Sequence, residues 1–245
     1  MILPTAAQIH ATLEGTWPAT ARATVGPWII RTGQGGGSRV SAATATGPVD
    51  AADIATAEAA MQARGQRPLF MIRDGDTVLD SLLAASGYSI LDPVTAYAAP
   101  TALIATQRPP PVTTFEVWPP LAVQAEIWAA GGIGPARLAI MQRVQGPHTS
   151  LLGRSGDRPS GTAFVGCHGD IAMLHALEVL GSQRRKGLGL WLLRAAAFWA
   201  QDQGAGWFSL VVTQANLGAN ALYQSLGMQV VGHYHYRIHS GATPT

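Results

Sequence analysis

The sequence predicts an α+β protein built from a duplicated unit, and three observations carry that prediction. Strand-like alternation and helix-like three-to-four spacing interleave along the chain. The order of elements repeats at an offset of 140 residues, so that Gly227-Met228 fall on Gly87-Tyr88, Leu210–Val212 on Phe70–Ile72 and Leu222 on Leu82. Between the repeats stands Gln107-Arg108-Pro109-Pro110-Pro111, which can continue neither a helix nor a central strand. The expected organisation is therefore residues 1–106, a proline-rich linker at 107–112, and residues 113–245.

In the first unit the spacing predicts a helix over Ala6–Glu14, a strand over Trp28–Arg31 and a glycine-rich loop at Gly33–Gly37. A strand over Arg39–Thr44, an alanine-rich helix over Ala51–Arg64 and a strand over Pro68–Ile72 follow. A helix over Val78–Ser86 and a strand pair within Tyr88–Ala98 close the unit. The second unit opens with a strand at Thr113–Trp118 and one or two helices within Leu121–Arg143. Strands at Ser150–Arg154, Ala163–His168 and Ile171–Leu180 come next. It ends with helix Leu188–Gln203, strand Trp207–Thr213, helix Gly218–Leu226 and a strand pair within Gln229–Ile238.

Composition narrows the function classes. Hydrophobic residues are 47% of the chain, enough for a substantial core, and charged residues are only 12%, about half the usual ~25%. A net charge of +2 is too small to argue for a nucleic-acid or membrane partner, and none is expected. One cysteine, Cys167, can build neither an intrachain disulfide nor a zinc–thiolate cage, which suits a reducing cytoplasm. Met1–Leu3 is cut short by Pro4, unlike a secretory signal. The most apolar run, Leu188–Ala200, is broken by Gly189 and Arg194, so no membrane span is expected.

Chemistry concentrates in Leu174–Leu190. A strand ends near Leu180, the loop Ser182-Gln-Arg-Arg-Lys-Gly-Leu-Gly189 follows, and a helix starts at about Leu188. Backbone N–H groups and a helix N-terminus converging on one point make an anion site suited to a pyrophosphate. Gly187 and Gly189 allow close backbone approach. Arg184, Arg185 and Lys186 (the sole lysine of the chain) add charge-assisted contacts. The other reading of this loop is a solvated basic turn. The Walker spacing is absent, because five residues separate Gly181 from Gly187 and Leu188 stands where Lys would. Position 192 is Leu, which removes the Rossmann fingerprint. Further on, Asn216 can cap a helix that carries Ala219 and Tyr223 on one face and ends at Gly227.

These two segments resemble the signatures of the GNAT superfamily of N-acetyltransferases. Arg184-x-x-Gly187-x-Gly189 resembles the family's acetyl-CoA loop. Asn216-x-x-Ala219-x-x-Leu222-Tyr223-x-x-x-Gly227 resembles its later motif, with Met228 in place of the usual Phe. The likeness covers about Thr113 to His239. The ending His233-Tyr-His-Tyr-Arg237 is similar to a bacterial subgroup in which a degenerate copy precedes the working one. The first copy has Thr44-Ala-Thr-Gly-Pro-Val49 where the basic loop should be, and no cofactor is expected there.

The resemblance implies two tandem GNAT-like units, each a mixed, mostly antiparallel sheet flanked by helices. It implies transfer of the acetyl group of acetyl-CoA to a small-molecule or protein amine by direct attack. It places acetyl-CoA against a bulged fourth strand, here Ile171–Leu180, along Leu177, Glu178 and Val179. Arg184, Arg185, Lys186, Gly187, Leu188 and Gly189 would face the pyrophosphate, and Asn216, Ala219 and Tyr223 would complete the cofactor site. Val179 N–H would hold the oxyanion and Tyr223 would protonate the leaving thiolate. The base is His175 or Glu178, acting through water; in a regular strand these two residues point to opposite faces unless a bulge resets the alternation. The alternative is an acyl-CoA-binding regulatory module without turnover. An ATP-dependent phosphotransferase is disfavoured by the missing Walker residues. The protein is expected to be a monomer or homodimer.

Other signals carry less. His233 and His235 share a strand face, yet with no carboxylate beside them in sequence no metal site is expected. Cys167 reads as a packed thiol. Gly33–Gly37 leads into an apparent strand and reads as a flexible loop or a substrate-side turn. Trp28, Trp118 and Trp128 are candidates for lining an acceptor pocket.

Overall fold

Strong local signals set most elements. Thr5 caps helix α1 (Ala6–Thr16) through a capping box with Gln8, and Asp50 caps α3 (Ala51–Gln62) through a box with Asp53. In the computed structural model, residues 2–239 are described. The first half adds β1 (Ala21–Val25), β2 (Trp28–Thr32), α2 (Ser38–Ser41), β3 (Thr44–Ala45), β4 (Leu69–Arg73), α4 (Thr77–Ala85), β5 (Tyr88–Pro100) and the short α5 (Thr101–Ile104). The second half adds β6 (Thr114–Val117), α6 (Ala122–Ala130), α7 (Pro135–Gln142), β7 (His148–Ser155), β8 (Arg158–His168), β9 (Ile171–Val179), α8 (Leu188–Asp202), β10 (Trp207–Thr213), α9 (Leu217–Ser225) and β11 (Gln229–His239).

The strands form an eight-stranded sheet in the order β4-β11-β5-β10-β9-β8-β7-β6, and a three-stranded sheet β1-β2-β3. One parallel bridge, Ala43 to Phe70, joins the smaller sheet to β4. Pairing in the large sheet is antiparallel except between β9 and β10. Helices α4 (Thr77–Ala85) and α9 (Leu217–Ser225) are of equal length and lie 140 positions apart.

The halves exchange their last strands. β5, which ends the first half, pairs with β10 along Val94–Pro100, and β11, which ends the second, pairs with β4 along Tyr234–Ile238. The sheet runs unbroken across the proline-rich segment at residues 107–112, with strands from both halves of the sequence interleaved in it. The expected strand pairs within Tyr88–Ala98 and Gln229–Ile238 are in fact single long strands. Each needs that length to serve partners on both sides. The expected strand at Arg39–Thr44 is a second correction. Ser38–Ser41 is a helical turn, held by Ser41 Oγ donating to the Gly37 carbonyl at 3.0 Å, and β3 is only two residues long. Local hydrogen bonding by serine overrides weak alternation there. The strand β1 was not expected; its residues are mostly solvent-facing, so alternation is faint.

Apolar layers fix the architecture, with a further cluster of Leu69, Met71, Val94, Tyr234, Tyr236 and Ile238 joining β4, β5 and β11. Leu174, Val179, Leu188, Leu192, Leu193, Leu210 and Tyr223 join α8 and α9 to one face of the second half's sheet. Leu13, Trp17, Trp128, Ile140, Phe164 and Met173 join α1, α6 and α7 to the opposite face. Trp28, Ile54, Phe70, Leu83 and Tyr88 form the core of the first half. Fully buried aliphatic side chains such as Leu192 and Leu193 contribute about 1.5–3 kcal/mol each. Cys167 lies in the first layer, buried, with burial pushing its thiol up to about 11, as a packed group should be.

Candidate active site

The two parallel strands part company at the centre of the sheet. β9 and β10 pair from Ile171–Trp207 to Leu174–Leu210, and beyond that point they diverge. The divergence leaves a notch between residues 175–179 and 211–213. On the other side of β9, Phe164 opposes His175 and Thr162 opposes Glu178, so two steps on β8 face three on β9. A β-bulge therefore sits at Ala176–Leu177, with Ala176 at φ +49°. The Trp128 indole donates to the Ala176 carbonyl at 2.7 Å and holds the bulge in place.

The bulge decides which way the candidate residues face. Phe164 and Thr162 are two apart on a regular strand and share a face, so their partners His175 and Glu178 share it too. Both look toward α1 and α6, not to opposite faces as an unbroken strand would dictate. Leu177 and Val179 pack instead against the α8 layer. Leu180 N–H donates to the Ser160 carbonyl at 2.9 Å, which makes Val179–Gly161 a non-hydrogen-bonded pair. Val179 N–H and C=O consequently point away from β8, into the notch. Arg184 Nε takes up that carbonyl at 3.0 Å.

The basic loop stands at the α8 end of the notch. Arg184, Arg185, Lys186 and Gly187 are exposed, and Arg185 lies at φ +64°. Gly187 is the α8 N-cap at φ +83°, a left-handed conformation that glycine adopts without strain, and no side chain caps this helix. Trp191 N–H returns to the Gly187 carbonyl, which leaves the first-turn N–H groups without helical acceptors. A Cβ on Gly187 or Gly189 would meet nothing closer than 3.8 Å, so protein packing does not explain these glycines. An uncapped N-terminus, two glycines that no close protein contact demands and nearby cations suit a pyrophosphate. Leu188 is buried, so only its N–H can take part. Arg184 is partly committed, since its Nη2 pairs with Glu178 at 2.8 Å, and Lys186 Nζ donates to Gln183 at 3.0 Å.

The α9 residues have local structural roles. Asn216 Oδ1 accepts from Ala219 N–H at 3.2 Å, so both act as a helix cap. Tyr223 lies in the α8 layer with Leu174, Val179 and Leu210, and burial raises its phenol to about 12. Its ring stands 5.8 Å from that of Tyr97, a β5 residue of the first half.

His175 is not placed as an accessible base. It is 3% exposed and stacks on Trp17 at 4.9 Å. Thr16 Oγ1 lies 2.7 Å from its Nε2, and that hydroxyl already gives its proton to the Thr12 carbonyl. The network therefore assigns the proton to Nε2 of a neutral ring. Nδ1 is left to face Arg39 Nη1 at 3.5 Å. Burial, and secondarily the Arg39 charge, hold the imidazole well below its ordinary value.

The acceptor-side aromatics differ from those expected. Trp28 is buried in the first half and donates to the Asp53 carbonyl; Trp128 holds the bulge; Trp118 packs edge-on to His148 at 4.5 Å. Trp17 lines the notch instead, beside a 230 Å³ cavity that reaches Ala176 and Thr213. Arg39, Asp92, Arg137, Tyr234 and Tyr236 complete its lining. Sequence reasoning missed these residues. Their only signal was the glycine run before Arg39 and the Tyr/His alternation of β11. His233 and His235 also have carboxylates beside them after all: His235 Nε2 meets Asp80 at 2.8 Å, and His233 N–H donates to Asp74 at 2.7 Å. Both acids come from the first half, out of reach of local sequence. Among the described residues, no helix is long and apolar enough to cross a membrane.

Comparison with known proteins places this geometry. Residues 112–228 match the model of the acetyltransferase (GNAT) family. The chain is 26% identical over 242 residues to an uncharacterized N-acetyltransferase, YobR, of Bacillus subtilis (strain 168), covering 94% of this chain and 97% of that one. A GCN5-related N-acetyltransferase from Kribbella flavida superposes with a TM-score of 0.76 at 21% identity, over 98% of each chain. A functionally unknown conserved protein from Staphylococcus epidermidis ATCC 12228 gives 0.72 at 12% identity, over 92% of this chain and 96% of that one. The fold is thus GNAT-like, a mixed, mostly antiparallel sheet with flanking helices, and the family match supports acetyl transfer in general.

Proposed function

We propose that the protein is an acetyl-CoA-dependent N-acetyltransferase acting on a primary amine, with both substrates bound together and the amine attacking directly. The parting of β9 from β10, beside an uncapped α8 N-terminus, carries this reading. Acetyl-CoA would supply an acyl group activated as a thioester. The first-turn N–H groups of α8, with Arg184, Arg185 and Lys186, bind its pyrophosphate. Leu177 and Val179 flank its arm along the notch. Val179 N–H, aimed into the notch, stabilises negative charge developing on the carbonyl oxygen. Tyr223, protonated across the physiological range, holds the proton for the departing sulfur. Glu178 takes the amine proton through water, because it borders solvent while His175 does not.

We read the chain as two tandem GNAT-like units, residues 1–106 and 113–245, with the first one degenerate. The matching positions of α4 and α9 and the reciprocal strand exchange support this. The first unit keeps no anion site at its corresponding helix. There the Asp50 carboxylate already accepts from Ala52 and Asp53 N–H, where α8 has a bare glycine. A monomer in a reducing cytoplasm suits a chain whose units already complete each other's sheets and whose one thiol is buried and unpaired.

Amine-dependent release of free CoA thiol from acetyl-CoA tests the reading. Release with wild type, strongly reduced in Tyr223→Phe, supports it. Acetyl-CoA binding without release from any amine in a broad panel would instead favour the acyl-CoA-binding regulatory module.

A further inference from the structure

The cavity on the α1/α6/α7 side of the notch has a definite charge character. Its volume of 230 Å³ is below the roughly 300–1,000 Å³ of drug-sized ligand sites, so it suits a small acceptor. Ala176 of the bulge and Thr213 of β10 both line it, which puts it beside the notch where an acyl group would be attacked.

Two guanidiniums line it from different elements. Arg39 follows the glycine run of the first half and Arg137 lies on α7; both are half-buried. Among the described residues neither forms an ion pair with a carboxylate. Arg137 donates only to the Gly132 carbonyl, at 3.2 Å. Arg39 is oriented by neutral His175 at 3.5 Å and by the face of Trp17 at 6.0 Å. Desolvation, and secondarily the Arg39 charge, disfavours the charged form of Arg137. Two cations held close together without a counter-ion are an unsatisfied arrangement unless an anion joins them.

A third group points the same way. Tyr234 is 4% exposed and lines the cavity, and its Oη meets no partner within hydrogen-bond geometry although Arg39 and Tyr236 are near. A buried hydroxyl without a partner is costly, and an acceptor oxygen entering the cavity would satisfy it. Asp92 stands on the cavity rim as the single carboxylate of its lining.

From this lining we infer that the acceptor amine also carries a carboxylate, as a free amino acid does. Arg39 and Arg137 take the carboxylate and Tyr234 donates to it. The ammonium lies on the Asp92 side until it loses its proton. A simple monoamine would bring a third positive charge beside the two arginines, whereas a zwitterion adds no net charge and sets its carboxylate against them. This specificity rests on the transferase reading above. The anion site itself rests on the cavity alone.

The test uses the full chain and three matched pools: the common amino acids, their primary carboxamides, and the corresponding decarboxylated amines. Thiol release is measured with acetyl-CoA, and thermal stabilisation by each pool is measured without it. Wild type should favour the amino acids in kcat/KM by about tenfold or more, the scale of a charge-assisted hydrogen-bond pair. Arg137→Gln should remove most of that preference, Arg137→Lys should keep part of it, and Tyr234→Phe should weaken it without loss of acetyl-CoA binding. Equal or better use of the amides or amines by wild type, or a preference undiminished in Arg137→Gln, would overturn the inference and leave the transferase reading intact. Thermal stabilisation by amino acids, lost in Arg137→Gln, with no thiol release from any pool would keep the anion site and overturn the transferase reading. Neither release nor stabilisation would overturn both.

Discussion

Thr16, at the end of the first helix, and His175, on the central bulged strand, meet at 2.7 Å between Oγ1 and Nε2. The contact joins residues 159 positions apart and sets the histidine's tautomer, since Thr16 already donates to Thr12. It turns a residue with the chemistry of a base into a fixed neutral support whose free nitrogen faces Arg39. The first half of the chain thereby reaches into the site of the second.

The pH dependence of stability follows from that support. His175 is held well below its ordinary 6.5 by burial and by Arg39, so the folded state binds fewer protons than the unfolded one. Its contribution is complete above pH 6.5 and is lost as pH falls below that value, by up to about 1.4 kcal/mol per pH unit. His10, lowered to about 4 mainly by burial, acts in the same direction. Melting temperature should drop between pH 7 and pH 5, and less steeply in His175→Gln. An identical slope in the variant would show that the ring takes up no proton on unfolding.

The same substitution separates support from catalysis. His175→Gln should leave the acidic limb of the kcat/KM profile where it is and raise KM for the acceptor, because Arg39 loses its anchor. Disappearance of that limb would make His175 the base.

Trp128 should matter more than its distance from the loop suggests. Trp128→Phe removes the donor to the part-buried Ala176 carbonyl, at a cost of about 1 kcal/mol. Denaturant unfolding reads that cost. A loosened bulge should also weaken acetyl-CoA affinity, and an unchanged affinity would mean that the bulge holds itself.

The exchanged strands make the halves mutually dependent. Residues 1–106 produced alone lack β11, so β4 loses its partner and β5 loses both flanking strands. Each half alone should aggregate or stay unfolded, and the two co-expressed should co-purify as a folded complex. A well-folded, monomeric first half by itself would contradict this.

Much of the site was legible in the sequence. Gly187, Gly189 and the Arg184–Lys186 run mark the proposed anion loop because loop chemistry is local. The α9 motif was legible for the same reason: Asn216, Ala219 and Tyr223 are set by helical spacing. The cavity was not. Arg39, Asp92, Arg137 and Tyr234 come from four separate elements, and only the tertiary fold brings them together. Strand exchange was equally hidden, since alternation says which face of β11 is buried and nothing about which strand lies beside it. Ser38–Ser41 was misread because its short side-chain-to-backbone bond outweighs a weak strand pattern.

Calorimetric titration with acetyl-CoA, on wild type and on Gly187→Asp with ATP–magnesium as control, tests the central claim most directly. The structure predicts saturable binding of acetyl-CoA by wild type. It predicts loss of that binding in a still-folded Gly187→Asp, where a carboxylate would stand at the uncapped α8 N-terminus. Equal affinity in the two proteins, or magnesium-dependent ATP binding in place of acetyl-CoA, would contradict it.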